Sequence, residues 1–212
     1  MRLDHVSYVA DTNQLADVVQ RLGSTVGAAF SDGGLHPRFG TRNFVLPLGG
    51  GTYVEVVAAL DHPAADKAPF GRAVKQRAEL GGGWLGWVVA VDDLAPVERR
   101  LGRPAVPGNR HRPDGTDLRW RQIGVNDLID DPSLPFFIQW LVDADEHPSC
   151  GSKPGIRIDR MEIAGEPDAI SAWLGEPADD PLDGIAVDWV NADRPGLVAV
   201  HLATPHGTVR ID

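Results

Sequence analysis

Two residues stand out for the chemistry they carry: Glu55 in the run Gly51-Thr52-Tyr53-Val54-Glu55-Val56-Val57, and His5 in Leu3-Asp4-His5-Val6-Ser7-Tyr8-Val9. Both runs otherwise suit buried strands, and an ionised carboxylate taken out of water without a partner costs more than a strand readily supplies. Glu55 is therefore expected to be paired, hydrogen-bonded, protonated or bound to a cation, and His5 to share its surroundings. A carboxylate and an imidazole that meet in a cavity can hold a metal ion or move a proton.

The elements that position them follow from periodicity. Leu3 to Ala10 reads as a strand, and Leu15, Val18, Val19 and Leu22 repeat at helical spacing, with Thr12 or Asp11 as cap and Gly23 as stop. Strands are expected at 24–28, 43–47 and 52–58, the last two joined through Gly49-Gly50-Gly51. The order is βαβββ. After a helix expected at 70–80 the pattern returns: a strand at 84–91, a short helix at 94–101 stopped by Gly102, then strands at 117–125 and 134–141. The stretch 124–133 reads as a polar excursion, and Asn109 to Gly115 as a hairpin tip. Residues 157–163 open a third copy, with a helix at 167–174 and strands near 185–190, 197–203 and 208–211. Arg2-Leu3-Asp4-His5-Val6 resembles Arg157-Ile158-Asp159-Arg160-Met161, and Tyr53-Val54-Glu55 resembles Phe137-Ile138-Gln139, so one unit recurs three times. Module one covers 1–60, a connecting helix 61–83, module two 84–142, a linker 143–156 and the third unit 157–212.

Composition narrows the partners. The 212 residues are 42% hydrophobic and 24% charged, enough for a proper core. A net charge of -10 excludes a general nucleic-acid binder or a polybasic membrane anchor, both of which need clustered positive charge. No apolar run reaches a membrane span and no signal peptide is evident, so a cytoplasmic location is expected. Cys150 is a single cysteine beside turn residues and cannot form an internal disulfide.

With these elements in place, the chain resembles the vicinal oxygen chelate superfamily, which includes glyoxalase I, extradiol dioxygenases and bleomycin-resistance proteins, and within it the bacterial glyoxalase-like domain proteins. The resemblance rests on Leu3-Asp4-His5-Val6, on His36-Pro37-Arg38-Phe39-Gly40-Thr41-Arg42-Asn43, on Tyr53-Val54-Glu55 and on Pro135-Phe136-Phe137-Ile138-Gln139-Trp140. It implies an α+β fold in which two βαβββ modules form a half-open, cup-shaped barrel. The third module is expected to pack against them or against a second subunit in a homodimer.

The resemblance also implies one divalent metal (Zn, Ni, Mn, Fe or Mg) in the cup, with His5, Glu55 and Gln139 as ligands and Glu55 as the group that moves a proton. The counterpart of His5 in module two is Gly86, which has no side chain to coordinate, and in the third unit Arg160, a cation. The implied activity is metal-assisted lyase, isomerase or dioxygenase-type chemistry on a small oxygenated molecule. The other reading is a metal-free hydrogen-bonded cluster in a non-catalytic binding or sequestering protein. The loop carrying His36, Arg38, Arg42 and Asn43 suits a carboxylate-bearing ligand. Trp87 and Trp120, from the group that also holds Trp84 and Trp140, are candidates to line the pocket.

Overall fold

Alternation of side chains across eight strands builds a barrel with a polar interior wall. In the computed structural model, which describes residues 1–151 and 155–212, the first unit runs β1 (Arg2–Val9), α1 (Leu15–Val26), β2 (Ser31–His36), β3 (Thr41–Pro47) and β4 (Tyr53–Ala59). Two helices, α2 (Pro63–Lys67) and α3 (Pro69–Glu79), lead to the second unit: β5 (Gly83–Ala90), α4 (Ala95–Leu101), β6 (Val106–His111), β7 (Asp117–Ile123), α5 (Val125–Asp130) and β8 (Phe136–Trp140). The two units close into one barrel, in the order β1-β4-β3-β2-β6-β7-β8-β5. The expected α+β architecture of paired βαβββ units is observed.

The third unit is β9 (Arg157–Ala164), α6 (Pro167–Leu174), β10 (Ala186–Trp189), β11 (Gly196–Thr204) and β12 (Gly207–Ile211), a separate sheet in the order β10-β9-β11-β12. Its apolar face, with Met161, Ile163, Val200 and Leu202, shares one core with the outer face of the barrel, where Val6, Val54, Val56, Trp84, Trp87 and Val89 point. Trp84 Nε1 donates to the carbonyl of Ile211 at 3.0 Å across that junction. Each aliphatic side chain buried there contributes about 1.5–3 kcal/mol. Ser152, Lys153 and Pro154, assigned to the linker, lie outside the described residues. Among the described residues no helix is long and apolar enough to cross a membrane.

Two local expectations are corrected. The strand expected at 24–28 is the end of α1, which passes through Gly23 and closes at Gly27 in the left-handed region (φ 76°). The helix wins because Leu15, Leu22 and Val26 share its buried stripe, and Gly23 stays small because a Cβ there would meet the Ala28 carbonyl oxygen at 2.9 Å. The excursion at 124–133 contains α5, which buries Val125 and Leu128.

The register of the parallel pair β1–β4 sets the site. Pairing His5 with Tyr53 and Ser7 with Glu55 turns all four side chains to the barrel interior, while Val6, Tyr8, Val54 and Val56 face outward.

Candidate functional site

Glu55 is the centre of a buried polar cluster. Its Oε1 accepts from Ser7 Oγ at 2.6 Å and its Oε2 from Asn43 Nδ2 at 2.8 Å, the serine from β1 and the asparagine from β3. His5 Nε2 stands 3.7 Å from Oε1. Burial pushes the carboxyl up, but the neighbouring His5 and His36 together with the Ser7 and Asn43 bonds pull it below the usual carboxylate range. Glu55 is ionised at neutral pH, and both its oxygens are oriented.

His5 is fixed from the other side. Its ring stacks on Tyr53 with centroids 4.4 Å apart and planes 18° from parallel. Nδ1 faces Asp4 Oδ2 at 2.7 Å, and the other oxygen of Asp4 accepts from Trp140 Nε1 at 3.1 Å and pairs with His147 Nε2 at 3.0 Å. Burial raises the Asp4 carboxyl, and bonds from His147 and His5 overcome this and hold it far below its usual range. An ionised carboxylate only accepts, so Nδ1 of His5 carries a proton, and Nε2 is turned toward Glu55.

His36 ends β2 with Nδ1 2.8 Å from Thr41 Oγ1. Burial lowers its pKa to about 3 against the attraction of Glu55, with Arg110 and His5 adding to the fall, so the ring is neutral. Burial pushes the Tyr53 hydroxyl well up, and it stays protonated. Arg110, on β6, is 4% exposed and places its guanidinium in the same space, with Nη1 3.4 Å from Asn43 Oδ1. These groups line a small cavity of about 30 Å³ with an open mouth. Phe39, Phe70, Trp120, Phe136 and Trp140 supply aromatic walls. Trp120 lies flat over β6, where a Cβ on Gly108 would meet its ring at 2.4 Å, so glycine is required for that approach.

The expected site residues divide. His5, Glu55, His36, Asn43 and Trp120 converge on the cavity. Gln139 does not. It faces out of the barrel, where Nε2 donates to the Asp92 carbonyl at 2.9 Å and Oε1 accepts from Leu94 N at 3.4 Å. The match of Glu55 to Gln139 is one residue out of phase, and a shift of one reverses the face; Phe136, Ile138 and Trp140 are the inward residues of β8. Trp87 is fully buried on the outer face with Nε1 on the Ser133 carbonyl at 3.0 Å. Arg38 is exposed. Arg42 pairs with Asp32 at 2.9 Å and lies over the ring of Phe44 outside the barrel.

The divalent-metal site is not assembled from these residues. Gln139 is turned away, and at Gly86 the space a ligand would need is taken by Leu128, whose Cδ1 would sit 2.8 Å from a Cβ. Among the described residues no group of three or more His, Cys, Asp or Glu side chains is arranged to hold an ion. Of the expected ligands only His5 and Glu55 remain in the cavity, His36 on the same wall does not complete an ion-holding group with them, and a buried guanidinium faces the same space, so the set fits a divalent cation poorly.

Sequence reasoning missed Ser7, Arg110, the Asp4–His147 pair and Gln122, which lines the cavity and accepts from Trp120 Nε1 at 2.7 Å. Ser7 had a readable signal, since it lies two residues after His5 and so on the same face of a strand. Arg110 was concealed because the hairpin tip assigned to 109–115 begins later: Asn109 to His111 belong to β6, paired to β7 as far as His111–Asp117.

The model of the family described as "Glyoxalase-like domain" matches residues 3–177. No curated protein matches the sequence. Among solved structures, a hypothetical protein from Staphylococcus aureus aligns with 100% of this chain and 85% of its own, at 16% identity and a TM-score of 0.63. Methylmalonyl-CoA epimerase from Mycobacterium tuberculosis aligns with 66% of this chain and 86% of its own, at 15% identity and a TM-score of 0.44. The Streptomyces coelicolor methylmalonyl-CoA epimerase in complex with 2-nitronate-propionyl-CoA covers 66% and 96% at the same identity and TM-score. At these identities the first likeness shows the fold alone, and the other two carry no argument.

Proposed function

The chain belongs to the glyoxalase-like domain family of the vicinal oxygen chelate superfamily, and on that premise we propose that it binds a small oxygenated molecule inside the barrel, where Glu55 accepts a proton from it. The observation that carries this reading is a carboxylate held ionised and oriented by Ser7 and Asn43, with His5 Nε2 beside it, on the wall of an aromatic-lined cavity. A group positioned before the reaction begins saves the entropy of orienting it. Its lowered pKa makes Glu55 a weak base, so the proton it takes must be acidified by an adjacent carbonyl or be that of an enol. A ligand that displaces water from the cavity adds desolvation and raises the basicity of Glu55 when it is needed.

The reading needs no metal, because the donors present are too few for the ligand set of a metal-assisted lyase or dioxygenase. Zn, Ni, Mn or Mg added to the purified protein is then expected to leave its melting temperature unchanged, whereas an ion bound at the site would raise it.

The experiment is solvent exchange. Small oxo compounds are incubated in heavy water with the protein, and loss of the α-proton signal is followed by proton NMR. Glu55→Gln should abolish protein-dependent exchange while keeping the ligand bound. Equal exchange by wild type and Glu55→Gln would remove the base assignment. Binding without exchange would favour the second reading, a sequestering protein, which the low basicity of Glu55 itself supports.

A further inference from the structure

The cavity contains a cation that no acidic side chain among the described residues neutralises by contact. Arg110 has five N–H donors in a planar fork, yet among the described residues its one side-chain hydrogen bond is the long one from Nη1 to Asn43. Among the described residues Nε has no partner, although the residue is only 4% exposed. A buried guanidinium in this condition bears a desolvation cost that folding does not recover. Asn43 is occupied between two charges, since its carbonyl oxygen takes Arg110 and its amide nitrogen gives to Glu55.

We infer that Arg110 is the anchor for a compact carboxylate, whose two oxygens accept from the guanidinium while the rest of the molecule lies against the aromatic wall of Phe39, Trp120 and Trp140. The inference rests on the reading of the same cavity as a ligand site and names the class of molecule that enters it. A single fork matches one carboxylate in geometry and charge. A phosphate dianion would place two negative charges near the ionised Glu55 against one cation. The enclosed space, about 30 Å³, is far smaller than an ordinary small-ligand pocket, so only a compact molecule that displaces the water there and reaches into the open mouth fits it. Glu55 repels the carboxylate and Arg110 attracts it, so the molecule must lie with its charged end toward β6 and its reactive end toward β4.

The test is calorimetric titration with benzoate, pyruvate and the neutral isostere benzamide, alongside melting curves of the protein without ligand. At least one of the two carboxylates should bind, and benzamide at least roughly tenfold more weakly than benzoate. Arg110→Met should abolish that preference, and Arg110→Lys should retain part of it. Without ligand, Arg110→Met should melt at the same temperature as wild type or higher, because an uncompensated buried charge has been removed. Equal affinity for benzoate and benzamide would overturn the proposal. So would failure of both carboxylates at millimolar concentration, wild-type carboxylate binding by Arg110→Met, or a marked loss of stability in unliganded Arg110→Met, which would make the residue structural. Glu55→Gln should bind benzoate more tightly, as a repelling charge is gone. Anion binding that depends on Arg110 without any proton exchange would leave the anchor standing and remove the base.

Discussion

Asp4 and His5, adjacent in sequence, meet side chain to side chain at 2.7 Å in a part of the barrel closed to solvent. Adjacent residues of a regular strand point to opposite faces; here the pairing of β1 with β5 shifts register between Leu3 and His5, which lets both side chains reach one network. The carboxylate is shared with His147 and Trp140, so it ties the first strand to the last strand of the barrel and to the segment after it.

Asp4→Asn should therefore destabilise the protein by about 3–5 kcal/mol, the cost of breaking a buried charged cluster from one side. Urea unfolding checks this, and a loss near zero would show that the network contributes nothing. Because the folded Asp4 carboxyl titrates far below its unfolded value near ~3.9, its contribution is full above that pH and fades as pH falls through and below it. Asp4→Asn should remove that part of the acid sensitivity.

His36 gives a separate pH signature. Burial holds its folded pKa at about 3, while the unfolded value is near ~6.5. Between these two values the unfolded chain binds the extra proton, so stability is full above ~6.5 and declines as pH falls toward 3. Melting temperatures from pH 8 downward should fall through this window, and His36→Asn should flatten the curve there. An unchanged slope in the variant would refute the assignment.

Ser7→Ala should raise the Glu55 titration, since one of its two oriented donors is lost, and should cost about 1.5–3 kcal/mol for a hydrogen bond to a charged group. Carbon NMR of the side-chain carboxyl reports the first effect and chemical denaturation the second. A titration identical to wild type would mean that Asn43 and the two imidazoles suffice.

Gln139→Ala and Trp87→Ala test the two residues that face away from the cavity. Gln139→Ala removes bonds to the turn at Asp92 and Leu94 and should cost about 1 kcal/mol, with ligand affinity unchanged. Trp87→Ala should cost about 3–5 kcal/mol by opening a void in the core. Weakened ligand binding in Gln139→Ala, at full stability, would restore that residue to the site.

Much of the architecture was legible because it rests on repetition: three βαβββ units leave the same order of strands, helix and glycine stops in the chain. His5 and Glu55 were legible as chemistry because a charged or polar group inside an apolar run demands an explanation. Gln139 misled for a related reason, since likeness of residue type along a strand says nothing of phase, and only hydrogen-bond register fixes which face a side chain takes. Arg110 was hidden by the reverse problem. A polar run reads as a turn until its partner strand is known, and β7 is what keeps it extended. The role of Asp4 depends on His147, 143 residues away, a pairing that no local pattern encodes.

The junction of the two barrel halves has one further consequence. On one side β1 and β5 pair along seven registered positions, whereas β2 and β6 are registered through the single pair Leu35–His111. His36 and Arg110 flank that thin stitch, and β2 and β6 each remain paired on their other edge, to β3 and β7. The barrel is thus a clasp, hinged along β1–β5 and fastened along β2–β6. Amide protons at the fastening should exchange with solvent well before those of the hinge, and a ligand bridging Glu55 and Arg110 would hold the clasp shut from inside.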